Sequence, residues 1–192
     1  MGWCFVDSAT RSRSNSESSY KAFRAPEGAT EVVVPEGERM LGYLSFEDCK
    51  GVISVEVAKS VSRILGNPLN CKARLESITV ARGNRFFDSR GDCNAIINKR
   101  RKRLVSGCMN TVIPETVEII GESAFEGCVG LKSIIIPDSV TVIERAAFQY
   151  CTHLTSLIIP KSVLEIGKLF IDNGNAFSGC PALESIIVSK EN

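Results

Sequence analysis

The chain contains a repeat with a period of 23 residues. Residues 114–136 and 137–159 are two clear copies of one unit, and Pro114, Pro137 and Pro160 stand 23 residues apart. A unit this short cannot bury its own apolar residues, so consecutive units have to stack on one another. The period therefore predicts a solenoid, in which the core is shared between neighbouring units.

Applied to the whole sequence, the same period divides the chain into six units. A Ser-rich, aliphatic-poor segment at residues 1–29 is predicted to be a flexible leader, and the repeat domain is predicted over residues 30–192. The third unit has 33 residues, and the last has 29 because of an insertion around residues 169–174. The predicted units are 35–57, 58–80, 81–113, 114–136, 137–159 and 160–188.

All units except the long third one share a pattern of apolar positions. Two positions at the end of each unit, separated by one residue, are always Val, Ile or Leu, which predicts a short strand with one buried face. Stacked strands of this kind form a parallel sheet. The position eleven residues after each start, with the six extra residues of the last unit left out, is also apolar and is predicted to fill the interior: Phe46, Leu69, Phe125, Phe148 and Phe177.

The unit resembles a known type of repeat. It ends in Leu-x-Ser-Ile-x-Ile-Pro, preceded by Ser-Val-x-x-Ile-(Gly)-x-x-Ala-Phe-x-x-Cys, and residues 87–97 and 104–114 of the long unit look like a hairpin insertion. These features resemble the BspA-like leucine-rich repeats of bacterial surface proteins, including the hairpin-bearing repeat of Bacteroides-type members. The resemblance implies an α/β solenoid: a curved, right-handed coil of about six turns with a parallel sheet, one turn carrying a β-hairpin.

The resemblance also implies a function. It suggests a non-catalytic protein-interaction or adhesion module at the cell surface or in a secreted protein, with a protein or extracellular-matrix ligand. The alternative is a structural repeat fragment of a larger protein with no binding site of its own. The sequence shows no catalytic arrangement and implies no cofactor. Its first residues lack a secretory signal, and the last unit ends without a polar cap, so localisation stays open and self-association through that coil is a further expectation.

Composition excludes some partners. The net charge of +1 argues against a broad nucleic-acid-binding surface, and no apolar run reaches the length of a membrane span. Charged residues are nevertheless concentrated at one place, Lys99, Arg100, Arg101, Lys102 and Arg103. The simplest interpretation is a solvated hairpin tip. The functional alternatives are a localisation-signal-like patch or a site for polyanions such as heparin-like glycans.

The eight cysteines do not indicate a metal site. No Cys-x-x-Cys occurs and the chain has one histidine, so a structural zinc site lacks its ligands. Cysteines recur at one place in several units, where a small apolar side chain suits a tight bend. Cys93 and Cys108 differ, because pairing Asn98 with Arg103 in the hairpin would set them opposite each other. That register makes a disulfide between them one possibility, with two free thiols as the other.

The candidate binding surface is the outward face of the unit-end strands. If the two apolar positions point inward, the residues that alternate with them point out. The outward positions of the last three units hold Ser133, Ser156 and Ser185, and then Ile135, Ile158 and Ile187. Three exposed Ile side chains in a row would form an apolar patch of the kind that marks interaction sites. The alternatives are that Ser is needed for the strand bend or forms a hydroxyl ladder, and that another segment covers the Ile row.

Overall fold

The computed structural model describes residues 22–167 and 175–188, and within these ranges the regular secondary structure consists of short strands and one 3-10 turn, joined by turns and irregular segments. Residues 1–21 of the predicted leader 1–29 and the insertion at 169–174 lie outside the described residues. Residues 22–29 are described, and they do not form a flexible leader, because Phe23 and Ala25 are buried in the core of the N-terminal coils. The strands are β1 (Glu31–Val33), β2 (Met40–Leu41), β3 (Ser54–Val57), β4 (Arg63–Ile64), β5 (Ser77–Val80), β6 (Phe87–Asp88), β7 (Ala95–Asn98), β8 (Arg103–Gly107), β9 (Ile119–Ile120), β10 (Val142–Ile143), β11 (Ser156–Ile159), β12 (Glu165–Ile166) and β13 (Ser185–Val188).

The unit-end strands lie where the repeat predicts them. β1, β3 and β5 pair in parallel, with Ser54 opposite Ser77, and β11 and β13 pair in parallel with Ser156 opposite Ser185. The sheet is not continuous, however. Residues 111–114 at the end of the long unit form no strand, and the next unit contributes only a bridge from Ile135 to Ile158.

A second set of strands lies in the middle of the units, and the apolar pattern did not predict it. β9, β10 and β12 pair in parallel in successive units, as do β2 and β4. Each has only two residues, which is too short to show a period of two in the sequence. The coils 35–57, 58–80, 137–159 and 160–188 therefore carry one strand in the middle and one at the end.

The helical component expected of an α/β solenoid is absent from residues 22–167 and 175–188, where the one helical segment is a 3-10 turn at Arg90–Asp92. The link between the two strands of a coil is instead a tight turn such as 122–127. Each such turn has only a few residues, and it ends at a residue with left-handed backbone geometry, as at Gly127 (φ 68°) and Tyr150 (φ 58°). An α-helix needs a longer uninterrupted segment.

The hairpin of the long unit divides the interior into two cores. Successive residues of β7 face opposite sides: Ile96 packs in the core of the N-terminal coils, whereas Ala95 and Ile97 pack in the core of the C-terminal coils. All three side chains are buried. β8 then pairs in parallel with β9, so the hairpin joins the mid-unit sheet of the C-terminal coils.

The C-terminal core is built on stacked aromatic rings from the conserved repeat position. The rings of Phe125 and Phe148 are 5.1 Å apart and 2° from parallel, and those of Phe148 and Phe177 are 5.6 Å apart and 10° from parallel. Phe125 and Phe148 are fully buried. The interior role predicted for this position is confirmed for both residues.

Two buried asparagines fasten the long unit to its neighbours. Asn84 donates to the carbonyls of Ala58 and Val61, both at 2.9 Å, and its Oδ1 accepts from the amides of Phe86 and Phe87. Asn67 donates to the carbonyl of Ser123 at 2.6 Å. It likewise accepts from an amide and from the Ser106 hydroxyl.

Within the described ranges, no helix has the length and apolar character needed to cross a membrane.

Candidate functional site

The predicted outward Ile residues form an exposed row. Ile135 is 85% exposed, Ile158 is 56% exposed and Ile187 is 55% exposed. The strand register sets Ile135 beside Ile158 and Ile158 beside Ile187, so the three side chains follow one another across adjacent strands. Their buried neighbours on the same strands, such as Leu157 and Ile159, point into the core. We refer to Ile135, Ile158 and Ile187 as the Ile row.

Polar residues border the Ile row on one side. Ser133, Ser156 and Ser185 are exposed. Lys132 and Glu184, one residue earlier in their units, are exposed as well. The three serine hydroxyls make no hydrogen bond with another described residue, which gives no support to a hydroxyl ladder. An apolar strip with a polar rim is the usual composition of a protein-binding surface.

The five basic residues at the hairpin tip do not act as one cluster. Lys102 forms an ion pair with Glu118, and Arg103 forms one with Glu144, so both bind to the neighbouring coils. Lys99 Nζ donates to the carbonyl of Asn84. The predicted basic tip is thus divided between structural contacts and exposed charge.

Arg100 and Arg101 supply the exposed charge at the tip. Within the described ranges, neither guanidinium makes an ion pair or hydrogen bond with another residue. They line a groove of about 720 Å³ between the hairpin and β4, which also contains Arg85 and Phe86. Sequence reasoning did not find this groove, because its two sides are separated along the chain and meet only in the fold.

The structure corrects the register on which the Cys93–Cys108 disulfide depended. Asn98 pairs with Arg103 as assumed, but the register shifts between Ile96 and Ile97, so that Ala95 pairs with Gly107. A shift of one residue moves a side chain to the other face of a sheet. Cys93 therefore lies in the C-terminal core and Cys108 in the N-terminal core, and both thiols are free.

Three of the repeated cysteines, Cys49, Cys128 and Cys151, are buried as expected, whereas Cys180 is half-buried and Cys71 is exposed. The thiols of Cys49, Cys151 and Cys180 each donate to a backbone carbonyl of the preceding coil, at 2.9 to 3.1 Å. Burial raises the pKa of the Cys93 thiol to about 11 and that of the Cys128 thiol to about 12. These thiols stay protonated at neutral pH and are poor nucleophiles.

Stability should fall at alkaline pH because of these thiols. Thiols of the unfolded chain ionise above about pH 8.5, whereas the folded protein keeps the Cys128 proton until about pH 12. The unfolded state then binds fewer protons, so each such thiol lowers the free energy of unfolding by about 1.4 kcal/mol per pH unit above pH 9. Urea denaturation of the wild type and of Cys128→Ala between about pH 8 and pH 10.5 should give a shallower decline for the variant. Parallel declines would contradict this assignment.

An exposed turn, Arg90–Asp92, presents a cation and a carboxylate close together. Gly91 and Asp92 are exposed, but the guanidinium of Arg90 donates to both carboxylate oxygens of Asp88, at 3.0 and 2.7 Å. These hydrogen bonds raise the pKa of Arg90 above its usual value. A partner that binds this turn through the guanidinium of Arg90 would have to compete with Asp88.

Comparison with known families identifies the repeat. A model described as "BspA type Leucine rich repeat region" matches six copies within the chain, over residues 4–90 and 105–192. The chain belongs to the BspA type leucine-rich repeat family. The segment left unmatched, residues 91–104, contains most of the hairpin that separates the two cores of this BspA type repeat domain.

Solved structures show the same fold. This BspA type repeat domain is similar to a leucine-rich repeat protein from Eubacterium ventriosum, with 24% identity and a TM-score of 0.68, over 82% of this chain and 41% of that one. It is also similar to the pneumococcal vaccine antigen PcpA, with 18% identity and a TM-score of 0.54, over 84% of this chain and 51% of that one. The chain therefore spans about half or less of the length of these proteins. A comparison with curated proteins gave no match.

Proposed function

We propose that this protein is a non-catalytic interaction module whose contact surface is the Ile row. The observation that supports the proposal is the exposure of three aligned Ile side chains on paired strands. Scattered apolar residues on a surface need no explanation, but a contiguous apolar row bordered by polar residues is typical of a binding site.

The proposed partner is another protein, and adhesion to an extracellular-matrix protein at the cell surface is the setting we favour. The family resemblance supports that setting. A flat row of branched aliphatic side chains suits an apolar protein surface better than a small molecule, because small ligands are usually enclosed in a concave pocket. Fully burying one such side chain contributes about 1.5 to 3 kcal/mol.

The first test replaces part of the Ile row. In the double variant Ile135→Asp/Ile158→Asp, two carboxylates would have to be desolvated on binding, so affinity for a bound matrix protein should fall by at least about tenfold. The measurement is surface plasmon resonance against immobilised matrix proteins such as fibronectin, laminin and collagen.

A matched control uses exposed aliphatic residues elsewhere. Val112 and Leu164 are 69% and 80% exposed, and Val112→Asp/Leu164→Asp should bind as the wild type does. Equal losses in the two double variants, or wild-type binding by the Ile-row variant, would place the contact surface elsewhere. If the wild type binds none of the immobilised proteins, the alternative of a structural repeat fragment is favoured. The predicted self-association at the C-terminal coil stays a prediction.

A further inference from the structure

The mid-unit sheet is interrupted between β4 and the hairpin. β4 pairs with β2 on one side, but the next strand of the mid-unit set belongs to a separate sheet that begins with β6. The groove of about 720 Å³ lies at this interruption, with Ser62–Leu65 on one side and Arg85–Phe87 and the hairpin tip on the other. The open edge of β4 is therefore one wall of a groove.

Two backbone acceptors on this edge lack the partners that they have in the other coils. The carbonyls of Glu118 and Ile120 accept hydrogen bonds from the following coil, at 2.9 Å in each case. Ser62 and Ile64 occupy the corresponding positions in their unit, and their carbonyls accept no hydrogen bond from any other described residue. Asn84 accounts for part of the difference: its Oδ1 accepts from the amide of Phe86, which corresponds to the Val142 amide that donates to the Glu118 carbonyl at 3.3 Å in a regular coil.

The charge of the groove has one sign. Five of its lining residues are cationic and none is acidic: Arg63, Arg85, Lys99, Arg100 and Arg101. Three of these, Arg85, Arg100 and Arg101, are fully available, since none makes an ion pair or hydrogen bond through its guanidinium with another described residue. Arginine in this setting binds carboxylates, because its planar fork donates two parallel hydrogen bonds.

The groove also has apolar walls. Phe86 is 48% exposed and Leu65 is 44% exposed, on opposite sides of the interruption. A fully hydrated polyanion such as a sulfated glycan would use the cations and leave these side chains in contact with water. An extended peptide can contact all three parts of the groove. Its amides can donate to the open edge of β4, its acidic side chains can bind the arginines, and its apolar side chains can pack against the apolar walls.

We infer that the groove binds an extended acidic peptide segment of a partner protein, which adds to β4 as a further parallel strand. Its amides donate to the carbonyls of Ser62 and Ile64, as the following coil does elsewhere in the solenoid. Its carboxylates bind Arg85, Arg100 and Arg101. Its apolar residues, which alternate with the acidic ones, pack against Phe86 and Leu65. Strand addition at an open sheet edge is an established mode of peptide recognition. The site is separate from the Ile row.

Fluorescence anisotropy with a labelled peptide of alternating Glu and Val residues tests this inference. The wild type should bind it with a Kd in the micromolar range, about 1 to 100 μM. Arg100→Glu/Arg101→Glu should weaken binding by at least about tenfold, because it reverses two charges that face the peptide. Arg74→Glu/Lys161→Glu makes the same change of charge at exposed positions outside the groove, and it should change binding by less than about twofold. Unchanged thermal unfolding would show that each variant is folded.

Two further ligands separate strand addition from simple charge attraction. The same peptide with alternate amides N-methylated keeps its carboxylates but cannot donate to β4, and it should bind at least about tenfold more weakly. A heparin fragment should compete poorly. Equal binding of the methylated peptide, efficient competition by heparin, or no binding of the unmodified peptide would each overturn the inference. Because the Ile row is unchanged in these variants, failure here leaves the proposed function standing.

Discussion

Phe148→Ala should lower the free energy of unfolding by about 3 to 5 kcal/mol, which is a large part of the stability of a domain of this size. The ring of Phe148 is the middle member of the aromatic stack, between Phe125 and Phe177. It is fully buried. Removing it would leave a cavity that borders three consecutive coils, and each coil loses contacts with the next. In a solenoid, stability depends on these interfaces between neighbouring units, so the defect would weaken both junctions.

Urea denaturation followed by far-ultraviolet circular dichroism would measure this effect. Phe86→Ala is the matched control, since the Phe86 ring is half exposed and lies outside the stack. We expect that variant to lose less than about 1 kcal/mol. Similar losses in the two variants would show that the stacked rings contribute no more than an exposed ring does.

Asn84→Ala should be the second most damaging substitution, with a loss of about 3 kcal/mol. The buried side chain of Asn84 makes four hydrogen bonds, all at 2.9 Å, to two carbonyls and two amides. Alanine would leave the Val61 carbonyl and the amides of Phe86 and Phe87 without this partner, whereas the Ala58 carbonyl would keep the Val61 amide at 3.3 Å. An unsatisfied buried group costs more than a typical hydrogen bond contributes. The hairpin should therefore loosen at its base.

Asn110→Ala provides the comparison, because the exposed Asn110 side chain makes one hydrogen bond, of 3.1 Å, to the carbonyl of Glu76. Hydrogen exchange measured by mass spectrometry should show faster exchange at β6 and β7 in Asn84→Ala, and near wild-type exchange in Asn110→Ala. Unchanged protection at β6 and β7 in Asn84→Ala would mean that Asn84 does not fasten the hairpin.

The candidate sites differ in how far the sequence could predict them. The Ile row depends on alternation along a strand, which is a local property, so its three residues could be named in advance. The basic tip was also visible in the sequence, but the sequence did not show which of its residues form ion pairs and which stay exposed. Lys102 and Arg103 pair with acidic residues of the next two coils, Glu118 and Glu144, and Arg100 and Arg101 line the groove together with Arg85.

The disulfide prediction depended on the register of the hairpin strands, and a single extra residue changes that register. A symmetrical hairpin would set Cys93 opposite Cys108. Val105 is the extra residue in β8, and it moves the two thiols to opposite faces of the sheet. A bulge of this kind depends on how the hairpin packs between two cores, and the hairpin sequence alone does not reveal it.

The sequence by itself determined the repeat period, the place of the unit-end strands and the buried aromatic position, because each follows from a pattern that recurs at a fixed spacing. Only the tertiary structure decided where the stacking is interrupted. The mid-unit strands depend on hydrogen bonds between coils, and the hairpin takes the place of a regular coil between residues 80 and 114. Because the strands that follow β4 belong to another sheet, an edge that is paired in other coils becomes the wall of a basic groove. Such an interruption results from contacts between distant residues, so no local spacing can predict it.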